Sequence, residues 1–270
     1  MFGFFRDIPV FLRSSIQLRS ALGQLVARDF KERYLGSYLG FLWPFIQQLL
    51  MTLIMGFVLE TGMRVTPVSG QPFLAWLIVA QSIFFFFNEA VTSSTSVFLQ
   101  YSYLVKKVQF RISLLPLVKI LTAMVNHGIF LVVVVVFLTA FGILPSWSWL
   151  QLPYYLLAAA SLALGLGWLL SSLTVFVRDV AQIVSIVLGF LVWVTPVFWN
   201  IKTSNGVVGL IGRLNPVSYL TEGYRDCFLY GRGFWEDPSW AVYFWGITLV
   251  FLGIGGLVFR RLRPHFADVL

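Results

Sequence analysis

From Ile120 to Val177 the chain carries no Asp, Glu, Lys or Arg. A water-soluble domain draws about a quarter of its residues from those four types, so no solvated surface can be built from this stretch. The whole chain agrees with it: 59% of the 270 residues are hydrophobic, 11% are charged, and the mean hydropathy is +0.85. A free cytosolic enzyme, a secreted disulfide scaffold and a disordered chain are excluded. The solvent that suits this sequence is a bilayer.

A spanning helix needs roughly 20 mostly apolar residues, and six runs qualify, at 39–59, 72–91, 114–142, 152–177, 180–199 and 240–259. The third is long enough to tilt or protrude. Only Arg178 and Asp179 separate the fourth from the fifth, which predicts a tight turn between antiparallel helices. Continuous apolar runs argue against a barrel, whose strands would alternate. The expectation is an all-α, polytopic membrane protein forming one transmembrane domain over 1–270, with its bundle at 39–259 and a tail at 260–270.

The formal net charge of +8 raises the question of nucleic acid, and the placement of the cations answers it. Thirteen of the nineteen Lys and Arg residues lie on segments that a six-span count puts on one side, and five on the other. The positive-inside rule places the richer side, with both termini, in the cytoplasm. A basic rim there attracts anionic lipid headgroups, with no nucleic acid required. Cys227 is the only cysteine, so no intrachain disulfide is possible. The first twenty residues lack the pattern of a signal peptide, and the first span is expected to direct insertion.

Three segments outside the spans stand out. Within 1–37, Leu18, Leu22, Leu25, Val26 and Phe30 recur at helical spacing beside Arg19, Gln24, Arg28 and Lys31, predicting an amphipathic interface helix. Residues 93–112 open on Ser and Thr and end near Lys106, Lys107 and Arg111, an intracellular helix suited either to docking a partner or to solvation. Residues 200–238 are too apolar and aromatic for a solvated linker, and Asn215-Pro216 divides them, predicting two short helices that cap or re-enter the membrane.

Polar groups inside spans need a partner or a wet path. Gln81, Phe84, Phe85 and Asn88 fall at i, i+3, i+4 and i+7, and Trp43 and Gln47 are one turn apart. Such stripes suit either a conduit lining or hydrogen bonds between helices. Ala159, Ala163, Gly167 and Ser171, with Ser161 and Gly165, form a small-residue packing signal. Trp193, Phe198, Trp199, Tyr219 and Tyr224 gather around the end of the fifth run and suit passing sugar rings or acyl chains. His127 and His265 lack neighbours at ligand spacing, so neither a metal nor a catalytic site is expected. No phosphate-cradling G-x-x-x-x-G-K-[ST] occurs; any ATP drive must come from another subunit.

Arg28-Asp29-Phe30-Lys31, Tyr34-Leu35-Gly36-Ser37, Leu39-Gly40 and Trp43-Pro44 resemble the entry to the first span in permeases of the type-2 ATP-binding-cassette exporters, above all those for O-antigen and teichoic acid. Arg178-Asp179, Thr195-Pro196-Val197, and Asn215-Pro216 followed by Tyr224-Arg225 resemble the later family pattern in the same order. Gln48 departs from it where many relatives have a second proline.

The resemblance implies a homodimer in the bacterial inner membrane, moving a lipid-linked glycan, with two ATPase subunits that bind ATP and Mg. It implies ATPase coupling at Lys106, Lys107, Phe110 and Arg111, and a cytoplasmic entrance at Arg28, Asp29, Arg33 and Tyr34. The conduit would be lined by Trp43, Gln47, Gln81, Phe84, Phe85 and Asn88. The external gate would hold Trp193, Pro196, Phe198, Trp199, Tyr219, Tyr224 and Arg225. Other readings are a drug or small-lipid exporter of the same class, a polytopic lipid-modifying enzyme, and a scaffold or channel.

Overall fold

The computed structural model describes residues 17–34, 40–64, 70–105 and 111–270, and every regular element among them is helical. An N-terminal helix, α1 (Arg19–Tyr34), leads to α2 (Trp43–Gly56), which runs on through a wider π-wound turn to Gly62. Next come α3 (Phe73–Thr95), α4 (Leu115–Ala140), α5 (Leu152–Phe176) and α6 (Asp179–Val194). Two short helices, α7 (Gly206–Leu214) and α8 (Pro216–Arg225), precede α9 (Pro238–Leu262). Proline stands in the first two positions of α2, α4, α5, α8 and α9. There its missing N–H costs no helix bond and its fixed φ suits the first turn.

Among the described residues, five helices are long and apolar enough to cross a bilayer: Trp43–Gly62, Phe73–Thr95, Ile112–Ala140, Trp147–Phe176 and Pro238–His265. The fifth of the six apolar runs is shorter than its hydropathy suggests. It ends at Val194, giving α6 16 residues, or about 24 Å at 1.5 Å per residue. Pro196 explains the stop, since the residue before a proline is pushed out of the helical region, and Thr195 is extended at φ −74°, ψ 141°. Phe198 and Trp199 therefore lie beyond the helix.

The central helix is α3, whose side chains from Phe73 to Val91 are mostly buried by contacts with α2, α4, α5, α6 and α8. Around it, Leu50, Leu53, Ile54 and Phe57 on α2 and Ile183, Ile186, Val187 and Phe190 on α6 leave long apolar faces exposed. Leu22 of α1 packs with Leu18, Leu25 and Val26 on Leu114, Leu117 and Val118 at the start of α4, so the apolar stripe of α1 meets protein.

The small residues of α5 serve two neighbours. A Cβ on Gly167 would sit 3.1 Å from the Ser94 side chain of α3, whereas one on Gly165 would come within 2.7 Å of the Leu252 backbone nitrogen of α9. Reciprocally, a Cβ on Gly255 of α9 would collide with the Gly165 carbonyl oxygen. Backbone cannot yield as a side chain tip can, so Gly255→Ala is expected to cost about 1–3 kcal/mol, the usual range for overpacking. Thermal unfolding of the detergent-purified chain reads it, with Gly246→Ala, where an added Cβ meets nothing within 4 Å, as the matched control. Equal melting of the two variants would contradict a backbone contact between α5 and α9.

Candidate functional site

At the α1 end of the bundle, charged side chains tie α1 to α3 and α4. Lys119 Nζ of α4 lies 2.5 Å from Asp29 Oδ1, and Tyr101 donates its hydroxyl to the same oxygen at 2.9 Å. Both members of the ion pair are buried. Burial raises the Asp29 carboxyl, but Lys119 and the Tyr101 hydroxyl outweigh it and hold the group below its ordinary value. One turn on, Arg33 pairs with Glu89 of α3 and donates to Ser93 Oγ at 3.0 Å. Asn126 Nδ2 donates to the same Glu89 oxygen at 2.6 Å and its Oδ1 accepts from Tyr34 at 3.1 Å.

Three of the four entrance residues thus enter one polar assembly. Arg28 does not; it pairs along the exposed face of α1 with Glu32 at 2.6 Å. Lys119, Glu89, Asn126 and Tyr101, which complete the assembly, carry no role in the sequence reading. For Lys119 and Glu89 part of the signal was available, since a charge near the end of an apolar run is costly unless paired, but α1 offers two acids, Asp29 and Glu32, and the sequence does not choose between them. Of the coupling residues, Lys106, Lys107 and Phe110 lie outside the described residues, as do Leu35, Gly36, Ser37 and Leu39; Arg111 stands exposed just before the turn at Ile112–Leu114.

The expected conduit stripes do not form one surface within this chain. Gln81 and Phe84 are buried, with Thr52 of α2 donating its hydroxyl to Gln81, while Phe85 and Asn88 are half-buried. Trp43 and Gln47 lie exposed on α2. The cause is the central position of α3, covered on almost every side, so that helical spacing alone does not select an open face.

At the opposite end, Arg225 is completely buried and joins three elements. Its Nη1 donates to the Pro196 carbonyl at 2.6 Å and to Glu222 at 2.5 Å, Nη2 to the Val197 carbonyl at 2.8 Å, and Nε to the Trp76 carbonyl at 3.3 Å. The guanidinium also lies 3.2 Å from the Trp76 ring centre. Asn215 fixes the start of α8 by accepting from Val217 N at 3.0 Å, and donates to Thr195 Oγ1 at 2.8 Å.

The five aromatics expected to form one cluster divide here. Trp193 and Phe198 pack at 4.8 Å, and Trp199 donates its indole N–H to the Trp193 carbonyl at 2.9 Å. Tyr219 and Tyr224 instead face the core, because α8 is held against α3 and α5. Tyr219 packs on Tyr155 at 5.5 Å, and Tyr224 shares a hydrogen bond of 3.0 Å with His127. A cavity opens beside them, lined by Tyr155, Tyr219, Asp226 and Trp240.

Among the described residues, the buried charges Asp29, Lys119, Glu222 and Arg225 are all paired: Asp29 with Lys119 between α1 and α4, and Glu222 with Arg225 within α8, where the same guanidinium also bonds carbonyls of α3 and of the turn after α6. An apolar multi-span bundle whose buried charges are all paired has the construction of a polytopic membrane protein. A family model described as ABC-2 type transporter matches residues 20–229. The chain belongs to that family, whose permeases are transport subunits. It is similar to an O-antigen export system permease protein RfbA of Klebsiella pneumoniae, at 28% identity over 95% of this chain and 100% of the relative. A protein of the same name from Myxococcus xanthus is 29% identical over 95% of this chain and 98% of its own length. A second Klebsiella pneumoniae RfbA is 26% identical, covering 90% and 92%.

Proposed function

We propose that this chain is the permease half of an ATP-driven exporter that carries a lipid-linked polysaccharide of the O-antigen kind across the bacterial inner membrane. The observation that carries the reading is end-to-end likeness to the O-antigen export permeases, covering 95% of this chain and the whole of the relative. Two copies of the chain enclose the path, and two ATPase subunits bind ATP and Mg on the cytoplasmic side. The exposed apolar faces of α2 and α6 serve lipid and the second copy. The α1 end faces the cytoplasm with both termini, and the α7–α8 end faces outward. ATPase closure acts on α1 and on the segment holding Lys106, Lys107, Phe110 and Arg111. The Asp29–Lys119 and Arg33–Glu89 pairs pass that displacement to α4 and α3. Trp193, Phe198 and Trp199 stand at the outer end of α6, next to the turn that Arg225 holds.

A host strain lacking the chain is expected to lose surface polysaccharide and to accumulate lipid-linked glycan inside. Re-expression with the ATPase restores display, and the ATPase co-purifies with the chain. Undiminished surface glycan in the deletion strain, with no internal accumulation, would overturn the glycan reading.

A further inference from the structure

The residues after α9 are folded back onto the bundle. Proline has no N–H for the next helix bond, and at Arg263-Pro264 α9 gives way to a tighter turn, Arg263–His265, and then to a single helical turn, Phe266–Val269. Phe266 points inward and has no exposed surface. Its ring centre lies 5.1 Å from that of Phe98, which follows α3, 6.1 Å from Phe176 at the end of α5, and 6.1 Å from Phe259 in the last turns of α9. Phe98 and Phe259 also meet, at 5.8 Å. Phe98, Phe259 and Phe266 belong to a buried cluster distinct from the core around α3.

Both ends of the segment between α3 and α4 rest on that cluster. Val97, Phe98 and Tyr101 enter it from the start of the segment and Ile112 from its finish, where Trp168 of α5 also donates its indole N–H to the Ser113 carbonyl at 3.0 Å. The stretch holding Lys106, Lys107, Phe110 and Arg111 therefore begins and finishes on one aromatic seat.

The other side of the seat belongs to α5 and α9. Trp168 and Val175 come from α5, Phe259 from α9 and Phe266 from the turn after it. These two helices meet backbone to backbone at Gly165 and Gly255. A close-packed interior has low compressibility and passes strain on, so a push on the seat reaches both helices. The ion pairs of α1 lead to α3 and α4 instead, whereas Phe98 gives the segment a direct contact with α9.

We propose that Phe266 is a positioning residue for coupling. By filling the space between Phe98, Phe176 and Phe259, it joins the segment between α3 and α4, the end of α5 and α9 into one body, so that an ATPase stroke on that segment displaces α5 and α9 as well. The proposal rests on the exporter reading and adds α9 to the parts that the stroke reaches.

The test uses the full chain with its ATPase, measuring surface polysaccharide per assembled complex in cells and ATP turnover in nanodiscs. Phe266→Ala is expected to keep the ATPase bound and its turnover within about twofold of wild type while display falls about tenfold, an ordinary strength for coupling between two sites. Phe266→Leu, which refills most of the space, should restore display, and Val269→Ala, at an exposed position in the same turn, should change neither quantity. Display and turnover that fall in proportion in Phe266→Ala, or that both stay at the wild-type level, would overturn the role.

A second measurement does not depend on that variant. Spin labels placed through Tyr103→Cys and Arg263→Cys, both exposed, in a Cys227→Ala background should keep one separation in the nucleotide-free complex and in the complex trapped with ATP and vanadate. A change of about 5 Å or more, the size of a one-turn ratchet, would show that the two segments move apart and would refute the single body. A wild-type chain that binds no ATPase and is dispensable for display overturns the exporter reading and this role with it. One that binds the ATPase and supports display, with Phe266→Ala exporting as much per ATP, overturns this role alone.

Discussion

Lys119→Ala is expected to destabilise the chain by about 3–5 kcal/mol, the range found when one partner of a buried ion pair is removed. The Asp29 and Lys119 side chains are each only 7% exposed. Without the ammonium, Asp29 Oδ1 keeps only the Tyr101 hydroxyl, and Oδ2 already has no partner. A carboxylate in that position is nearly out of solvent and would be left largely unpaired. Replacing both partners with apolar side chains of similar size is expected to recover most of the loss, because such swaps are often neutral or stabilising.

The pH dependence has a definite sign. Asp29 is held below its ordinary value of 3.8, so the pair's contribution is fully present above that value and is lost as the pH falls through the depressed one. Thermal unfolding of the purified chain at pH 7, and proteolysis within 19–34, would register the change. A variant melting with wild type, α1 still protected, would mean that the Leu22 cluster and the Arg33 and Tyr34 bonds hold α1 without the Asp29–Lys119 pair.

That pair also marks what could be read from the sequence and what could not. The spans were legible because bilayer thickness imposes a length and a polarity that composition must obey. The Asn215-Pro216 break was legible because a side-chain cap and a proline act locally. Lys119 was visible as a charge at the head of an apolar run, but its partner sits 90 residues away, and no local pattern encodes a pairing over that separation. The same limit explains Gln81 and Phe84. Their spacing defines a face of α3, yet whether that face meets a path or another helix depends on α2 and α4 arriving beside it. Tyr219 and Tyr224 show it again: near Trp199 in sequence, they are turned into the core by the packing of α8.

Arg225→Lys is expected to be almost as damaging as Arg225→Ala: alanine breaks a buried ion pair, at about 3–5 kcal/mol, and lysine, though it keeps the pair, leaves several buried carbonyls unmet at about 1–3 kcal/mol each. The guanidinium donates to the carbonyls of Trp76, Pro196 and Val197 and to Glu222, and it lies on the Trp76 ring. Five donors in a rigid plane can reach all four acceptors at once; an ammonium with three donors at the end of a flexible stem cannot. Lysine would retain the charge partner for Glu222 and leave carbonyls of the turn after α6 unmet, with each buried unsatisfied group costing about 1–3 kcal/mol. Alanine would leave Glu222 itself unpaired. If the ion pair alone mattered, Arg225→Lys would melt with wild type, and the fork would be shown to be dispensable.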